Sequence, residues 1–446
     1  MPDGRATPSS AAERRGLLRE SLGLLPAQIV LRGVEGLFPL LLAYWFGRSR
    51  DTDVLMFAWA WFTLAGSVLF TAFYDSALIP ILVDMRLHRP AAVPRFLGSI
   101  LAHTLAAGVA LAVAAALLAW GVFALRYAGP ARSLAALMLV PFAGHVVAVA
   151  VRMFFSAVLN AAERYQVPAW ATGVGWAVTL GTIASARDAG VGVVPVAMLA
   201  GELAATAIVA ATVHWGLGVR LQLGFDRSAP FGELLRLLSA EIKGSVISRV
   251  NPVVDQLVAS FSAIVGAGTL LRYANDVAFV PTSLLQAVLL SVLLSKLSHR
   301  AARGDAAEVR RMVRRTAVAV VPVLAAAGAI LYAARAPLLG FLFRRGEMDA
   351  GGVAQMVAVF PYYLLALPSF GVLLVLYRAT VAVKDSRILP AMGVLNAGLT
   401  VVLDVLLFQL WGLIGIAAAR AIAATAVAAA FWIRLQRLLR PASAST

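Results

Sequence analysis

The sequence contains no cysteine, which excludes disulfides, thiolate metal sites and cysteine nucleophiles. Charge is scarce as well. Only 13% of residues are Asp, Glu, Lys or Arg, against about 25% in soluble domains. The sequence has no HExxH pair, no GxxxxGK[ST] loop and no Gly-x-Ser-x-Gly elbow, so zinc-protease, P-loop and serine acyl-transfer chemistry have no footing. It shows neither the short alternating segments of a membrane β-barrel nor a repeat period of the solenoid kind. The first 20 residues carry Arg14, Arg15 and Arg19 but no apolar stretch leading to a small-residue cleavage site. They read as a cytoplasmic tail and not as a signal peptide.

What is abundant is apolar. Hydrophobic residues make up 61% of the 446, and runs long enough to cross a roughly 30 Å hydrocarbon core recur from Ser21 to Leu435. The chain is expected to be an all-α polytopic membrane protein. Segmentation places about twelve transmembrane helices at 21–47, 53–83, 97–125, 133–161, 168–186, 191–217, 238–264, 270–295, 316–339, 351–381, 388–410 and 412–433. The net charge of +16 is a topology signal. With the N-terminus inside, about 24 Lys and Arg residues fall in cytoplasmic segments and about 8 on the other side, as the positive-inside rule demands. Both termini are then cytoplasmic. The arginine-rich stretch 296–315 reads as orientation, with attraction to anionic lipid headgroups, and not as a nucleic-acid site.

The chain echoes itself. LNAAERYQVPA and TVAVKDSRILPA align with Glu163 on Asp385, Pro168 on Pro390 and Ala169 on Ala391, an offset of 385 − 163 = 222 residues. This suggests two six-helix lobes, 21–217 and 238–435, joined by a cytoplasmic linker at 218–237. The tails are 1–20 and 436–446. Such a plan is that of a transporter whose substrate site lies between lobes that rock.

Ionisable side chains at bilayer depth cost about 2.5–3.5 kcal/mol each, so they face a cavity or a partner. Candidates are Arg32, Glu35, Asp53, Asp75, Arg152, Glu202, Arg249, Asp255, Arg272, Asp276, Asp404 and Arg420. Asp53 and Arg272 read equally well as caps at helix starts. His103 and His145 read as satisfied core histidines, and Glu241 and Lys243 as snorkelling groups.

Several stretches resemble the MurJ/MviN family of lipid II flippases. They are FGRSRDTDVLMFAW followed by ALIPIL, AVLNAAERYQVPA, LLRYANDVAFVPTSLLQAVLLSVLLSKLSHRAARGD, LPSFGVLLVLYRATVAVKDSRILP and GLIGIAAARAIAA. The resemblance runs in order over nearly the whole chain. It implies the multidrug/oligosaccharidyl-lipid/polysaccharide (MOP) exporter fold, which is MATE-like. It also implies a polyprenyl pyrophosphate substrate carrying sugars, moved from the inner to the outer leaflet, with the protein acting as a transporter and not an enzyme. Arg32 matches the family's first arginine of helix 1 and Asp53 its helix-2 aspartate. Arginine suits pyrophosphate because its planar fork donates two parallel hydrogen bonds.

The departures are as specific. Phe38 and Gly66 fall where the family has arginines, and Asn275-Asp276 stands where it has Asp-Arg. The family commonly has two further helices. Family members can carry a sodium site built from helices 7, 11 and 12, whose matching positions here are Asp255, Thr400, Asp404 and Arg420, with arginine in place of a threonine ligand.

The expected function is a flippase for a polyprenyl-pyrophosphate-linked saccharide, of exopolysaccharide or peptidoglycan-precursor type, in a bacterial inner membrane. Arg32, Arg249 and Arg272, with Asn275, form the substrate-binding set. Glu35, Asp53 and Asp276 orient the headgroup or pair with those arginines once it leaves. Asp255, Thr400, Asp404 and Arg420 form an ion-coupling or internal salt-bridge set, with no metal and no cofactor expected. Membrane lipids and glycan-biosynthesis enzymes are the other expected partners, nucleic acid is not. Two alternatives stay open: an ion-coupled multidrug exporter of the same fold, and a transport-inactive member that scaffolds an envelope complex.

Overall fold

The computed structural model describes residues 33–34, 36–69, 78–225, 250–286, 305–383 and 388–438, with single positions at 293, 297, 300 and 303. It is all-helical among these. The first half holds α1 (Gly36–Phe46), α2 (Arg50–Leu69), α3 (Ile79–His88), α4 (Val93–Arg126), α5 (Pro130–Asn160), α6 (Gln166–Ala186) and α7 (Val193–Ala211). The second holds α8 (Asn251–Ala259), α9 (Ala267–Ala278), α10 (Ala306–Phe343), α11 (Ala350–Leu364), α12 (Leu367–Val383), α13 (Ile388–Trp411) and α14 (Leu413–Leu438).

Six helical stretches among the described residues are long and apolar enough to cross a membrane, and α11 with α12 makes a seventh if that pair is one span bent by 45°. Their outer faces are oily: Leu125 is 93% exposed and Val140 78%. A water-soluble chain rarely leaves so much apolar surface uncovered. The protein is therefore a multi-pass membrane protein. The twelve segments expected from sequence are not all recovered as spans. Residues 70–77, most of 287–304 and all of 226–249 lie outside the described residues, which cuts the second, seventh and eighth segments short. The fifth forms α6 and is not among these spans, with Thr172, Thr179 and Thr182 among its residues.

Two segments differ in their bounds for local reasons. The ninth begins at Ala306 instead of 316, so Arg310, Arg311, Arg314 and Arg315 are helical and not loop. Asp305 caps this helix by accepting from the Glu308 N–H at 2.9 Å, and Glu308 sits three residues on, where an acid complements the helix N-terminus. The tenth is broken at Leu365-Ala366. Pro368 brings no N–H to the ladder at that point, which favours a new helix start over continuation. The turn of LNAAERYQVPA falls after α5, where Glu163 adopts a left-handed φ of 60° and the Arg164 N–H returns to the Leu159 carbonyl at 2.9 Å. Its counterpart Asp385 lies outside the described residues.

The described residues belong to two compact units. One comprises Met1–Phe38, Leu69–Leu117 and Leu137–Leu235; the other comprises Pro39–Val68, Leu118–Ala136 and Arg236–Thr446. In the first, α6 and α7 pack through glycines. A methyl group at Gly175 would press on the Gly201 carbonyl, and one at Gly201 would strike the Thr179 hydroxyl. Close backbone approach through small residues is the usual way helices associate without a hydrophobic driving force. A largely buried ion pair, Arg152 with Glu202, joins α5 to α7. The Arg152 Nη1 also donates to Thr172 Oγ1 on α6 at 3.3 Å.

In the second unit, one side chain draws the loops together. Arg48 Nε donates to Asp349 Oδ1 at 2.6 Å and Nη2 to Oδ2 at 2.8 Å. Its Nη1 reaches Gln355 Oε1 at 3.1 Å and the Val265 carbonyl at 3.3 Å. Asp349 meanwhile caps α11 through the Gly352 N–H at 3.0 Å. The Glu347 N–H donates to the Tyr44 carbonyl at 3.0 Å. The backbones approach closely because Gly346, at φ +62°, has no side chain to meet that carbonyl.

Asp349 lies outside the spanning helices, and its hydrogen bonds from Arg48 hold its carboxyl below the usual carboxylate range. A lowered native pKa means the tie contributes stability above the unfolded value of about 3.9, and loses it only as pH falls through the lower native value. Arg48→Ala is expected to cost about 1–2 kcal/mol of stability in detergent, read by thermal unfolding. That deficit should stay constant from about pH 8 to about pH 5 and shrink below about pH 4.

Candidate functional site

The site grows from α9. Arg272, Asn275, Asp276 and Phe279 recur at spacings of three and four, which puts them on one stripe of the helix. The opposite face is packed: Tyr273, Ala274, Leu270 and Leu271 are buried, with Tyr273 stacked on Phe343 at 5.5 Å. Packing on one side thus leaves the polar stripe to face outwards from its own helix. The α9 N-terminus is fixed by Asp53, whose Oδ1 accepts from the Thr269 N–H at 2.9 Å and its hydroxyl at 3.0 Å. A carboxylate at a helix N-terminus satisfies orphan donors and meets the positive end of the dipole.

Two arginines share one cavity. Arg272 and Arg420 both line a space of about 350 Å³, together with Thr63, Asn251, Asn396 and Thr400. Each guanidinium is already matched. Arg272 Nε donates to Asp276 Oδ2 at 2.9 Å, and its guanidinium lies over the Trp59 ring at 5.1 Å. Arg420, from the alanine-rich α14, pairs with Asp255 on α8, and its Nη1 donates to Asn275 Oδ1 at 3.3 Å. Two cations and two anions balance at these half-buried positions, so neither guanidinium is left without a counter-charge.

Asp404 is different. It is fully buried on α13 and has Asp255 and Arg420 as charged neighbours. Thr400, one turn earlier on α13, is 3% exposed. The Arg420 guanidinium takes up the Asp255 carboxylate that a bound sodium ion would need, so this set does not fit a sodium site.

Of the expected substrate set, Arg272, Asn275 and Asp276 come together on α9. Asp53 lies at its N-terminus on Thr269. Arg32, Glu35 and Arg249 lie outside the described residues. The internal set, Asp255, Thr400, Asp404 and Arg420, is gathered around Arg420, and Arg420 joins it to the cavity of Arg272. Sequence reasoning kept these two sets apart. It also passed over Asn251, Asn396, Thr63 and Trp59, although an asparagine inside the oily run ILPAMGVLNAGLTVVL is itself a signal of a polar lining.

The family model described as "Lipid II flippase MurJ" matches residues 42–445. The chain belongs to the MurJ lipid II flippase family. A probable lipid II flippase MurJ of Rhizobium tropici is 25% identical over 242 residues, 54% of this chain and 44% of that protein. One from a Synechocystis species is 26% identical over 202 residues, 45% of this chain and 37% of that protein. The chain thus matches less than half the length of these curated relatives. Among solved structures, a lipid II flippase MurJ in an inward closed conformation aligns with a TM-score of 0.75 at 19% identity, covering 94% of this chain and 87% of that one. A multidrug-resistance MATE family transporter of the MOP superfamily, inward-facing, aligns at 0.73 with 10% identity over 92% and 94%. At these identities the structures establish the fold, which is MATE/MOP-like.

Replacing Arg420 by Leu leaves Asp255 buried without its counter-ion, and a loss of about 3–5 kcal/mol is expected. The double variant Arg420→Leu/Asp255→Leu should recover most of it. Thermal unfolding of the four proteins in one detergent gives the coupling; additive losses would contradict the pairing.

Proposed function

We propose that this chain translocates a polyprenyl-pyrophosphate-linked saccharide, of exopolysaccharide or peptidoglycan-precursor type, from the inner to the outer leaflet of a bacterial inner membrane. The observation that carries the proposal is a cavity with two arginines, each held by its own carboxylate, in a member of the lipid II flippase family. An anionic headgroup offers a guanidinium two parallel charge-assisted bonds and so competes with a single carboxylate contact. When the headgroup leaves, Asp276 retakes Arg272. The cavity resets without exposing bare charge.

Arg32 and Arg249 complete the headgroup set in this proposal, with Glu35 as a further pairing acid. The chain carries them in about twelve helices, arranged as lobes 21–217 and 238–435 with both termini cytoplasmic, and works by alternating access between the two sides. The tie around Arg48 then belongs to one state of the cycle. Arg420 takes the place of a coupling cation, so sodium is dispensable. Membrane lipids and glycan-biosynthesis enzymes are the partners that fit such a role.

The test is translocation of a labelled polyprenyl-diphosphate saccharide in proteoliposomes of the full chain. Arg272→Gln is expected to lower the initial rate about tenfold or more, since it removes a bidentate charged contact. Rates in sodium chloride and choline chloride should agree within about twofold; a strict sodium requirement would contradict the role given to Arg420. Transport of cationic dyes with none of the lipid would favour a multidrug exporter. No transport at all, with normal cell growth on Arg272→Gln, would favour a scaffold.

A further inference from the structure

We propose that α10 carries a binding site for an anionic phospholipid. Arg314 and Arg315 hold its phosphate, and an acyl chain lies along the helix face below them.

The depth of α10 in the bilayer follows from its sequence. Between Arg315 and Arg335 it has no charged residue. As an α-helix the stretch 316–334 rises about 28 Å, close to the roughly 30 Å of a hydrocarbon core. Arg335 marks one end. Its Nη1 donates to the Tyr332 carbonyl at 2.8 Å, and its guanidinium lies over the Tyr332 ring at 4.2 Å. An amphipathic ring beside a cation belongs at a membrane–water boundary. At the other end Arg315, Arg314 and Arg311 stand about 1.5, 3 and 7.5 Å past Thr316 along the axis. A headgroup layer is about 5–7 Å deep, so Arg315 and Arg314 lie within it and Arg311 at its edge.

Packing fixes which way these side chains turn. Val309, Val313, Ala317, Val320 and Leu324 are buried along one side of α10. At about 3.6 residues per turn, Arg311, Arg314, Arg315, Val318, Pro322 and Ala325 fall on the opposite side, and all six are exposed. The arginines therefore stand directly above an apolar track.

Two of those arginines keep their charge. Glu308, the acid beside this face, is already engaged: Oε1 accepts from Arg300 at 2.6 Å and Oε2 from Arg311 at 3.0 Å. Asp305 is occupied at the helix cap. Among the described residues, Arg314 and Arg315 have no ion-pair partner. Paired cations over an apolar face match a ligand with an anionic head and an apolar body. A phosphodiester presents two free oxygens to a guanidinium fork. Phosphatidylcholine would bring its own cation towards Arg311, whereas phosphatidylglycerol brings only hydroxyls. The face is open and not a pocket, which favours a resident of the bilayer over a cargo drawn into an enclosure.

Lipid titration of the full-length protein in detergent, read by native mass spectrometry, tests this with phosphatidylglycerol and phosphatidylcholine of equal chain length. Wild type is expected to bind its first phosphatidylglycerol about tenfold tighter than phosphatidylcholine. Arg314→Gln/Arg315→Gln should lower that ratio to about threefold or less and leave phosphatidylcholine binding unchanged. Arg344→Gln/Arg345→Gln removes the same charge from the far end of α10 and should keep the full preference. If the first double variant does not fold, the single variants Arg314→Gln and Arg315→Gln decide, each lowering the ratio by about twofold or more. Equal binding of the two lipids by wild type overturns the site. So does an equal fall in both double variants, which would mark net charge alone. Displacement of phosphatidylglycerol by equimolar polyprenyl diphosphate overturns it as well, since the face would then belong to the cargo.

Discussion

A charge placed among lipid-facing helices has to bring its counter-charge with it. Nearly everything distinctive in this protein follows from that constraint. Arg272 has Asp276, Arg420 has Asp255, and Arg152 has Glu202. Each pair joins side chains whose separate burial would cost more than the local fold could bear. Two of these pairs link different helices, so neutralisation and helix packing are the same event. Asp276 takes its partner from its own helix, four residues back, which leaves the α9 stripe neutral as a whole while keeping a guanidinium in the cavity.

The same constraint explains how Asn275-Asp276, which the sequence resemblance sets against an Asp-Arg pair, leaves the site with arginine. Arg272 stands one turn earlier and pairs with the new acid. Arg420 enters from α14, at a position the resemblance sets against a threonine, and Asn275 receives one of its donors. The substitutions on α9 and α14 therefore touch each other. A change that looks like lost positive charge along the sequence is a rearrangement of positive charge in space.

Much of this was legible in the sequence, for identifiable reasons. Apolar runs and the positive-inside bias mark a polytopic helical protein, because lipid admits few other solutions. The buried charges stood out one by one against an oily background. Their pairing did not, because nothing in a helix register says that Arg420 meets Asp255 or that Asp53 reaches Thr269. The break between α11 and α12 was hidden inside a run apolar throughout, and the early start of α10 was hidden by arginines that looked like loop. There the capping signal, Asp305 followed by Glu308, was the better guide. Arg48 was missed altogether, since its four acceptors lie in three distant loops and elements.

The tie made by Arg48 also has a consequence for the birth of the protein. Its acid, Asp349, is 301 residues further along. At about 5–20 residues per second, ribosomes reach it roughly 15–60 s after Arg48 has been made. Throughout that interval the first loop has its arginine but neither of the surfaces that receive it, and Gly47 has no neighbour to pack against. The seal of this unit is therefore among the last things to form. A chain truncated before Asp349 would insert its early helices and still lack the contact that closes them.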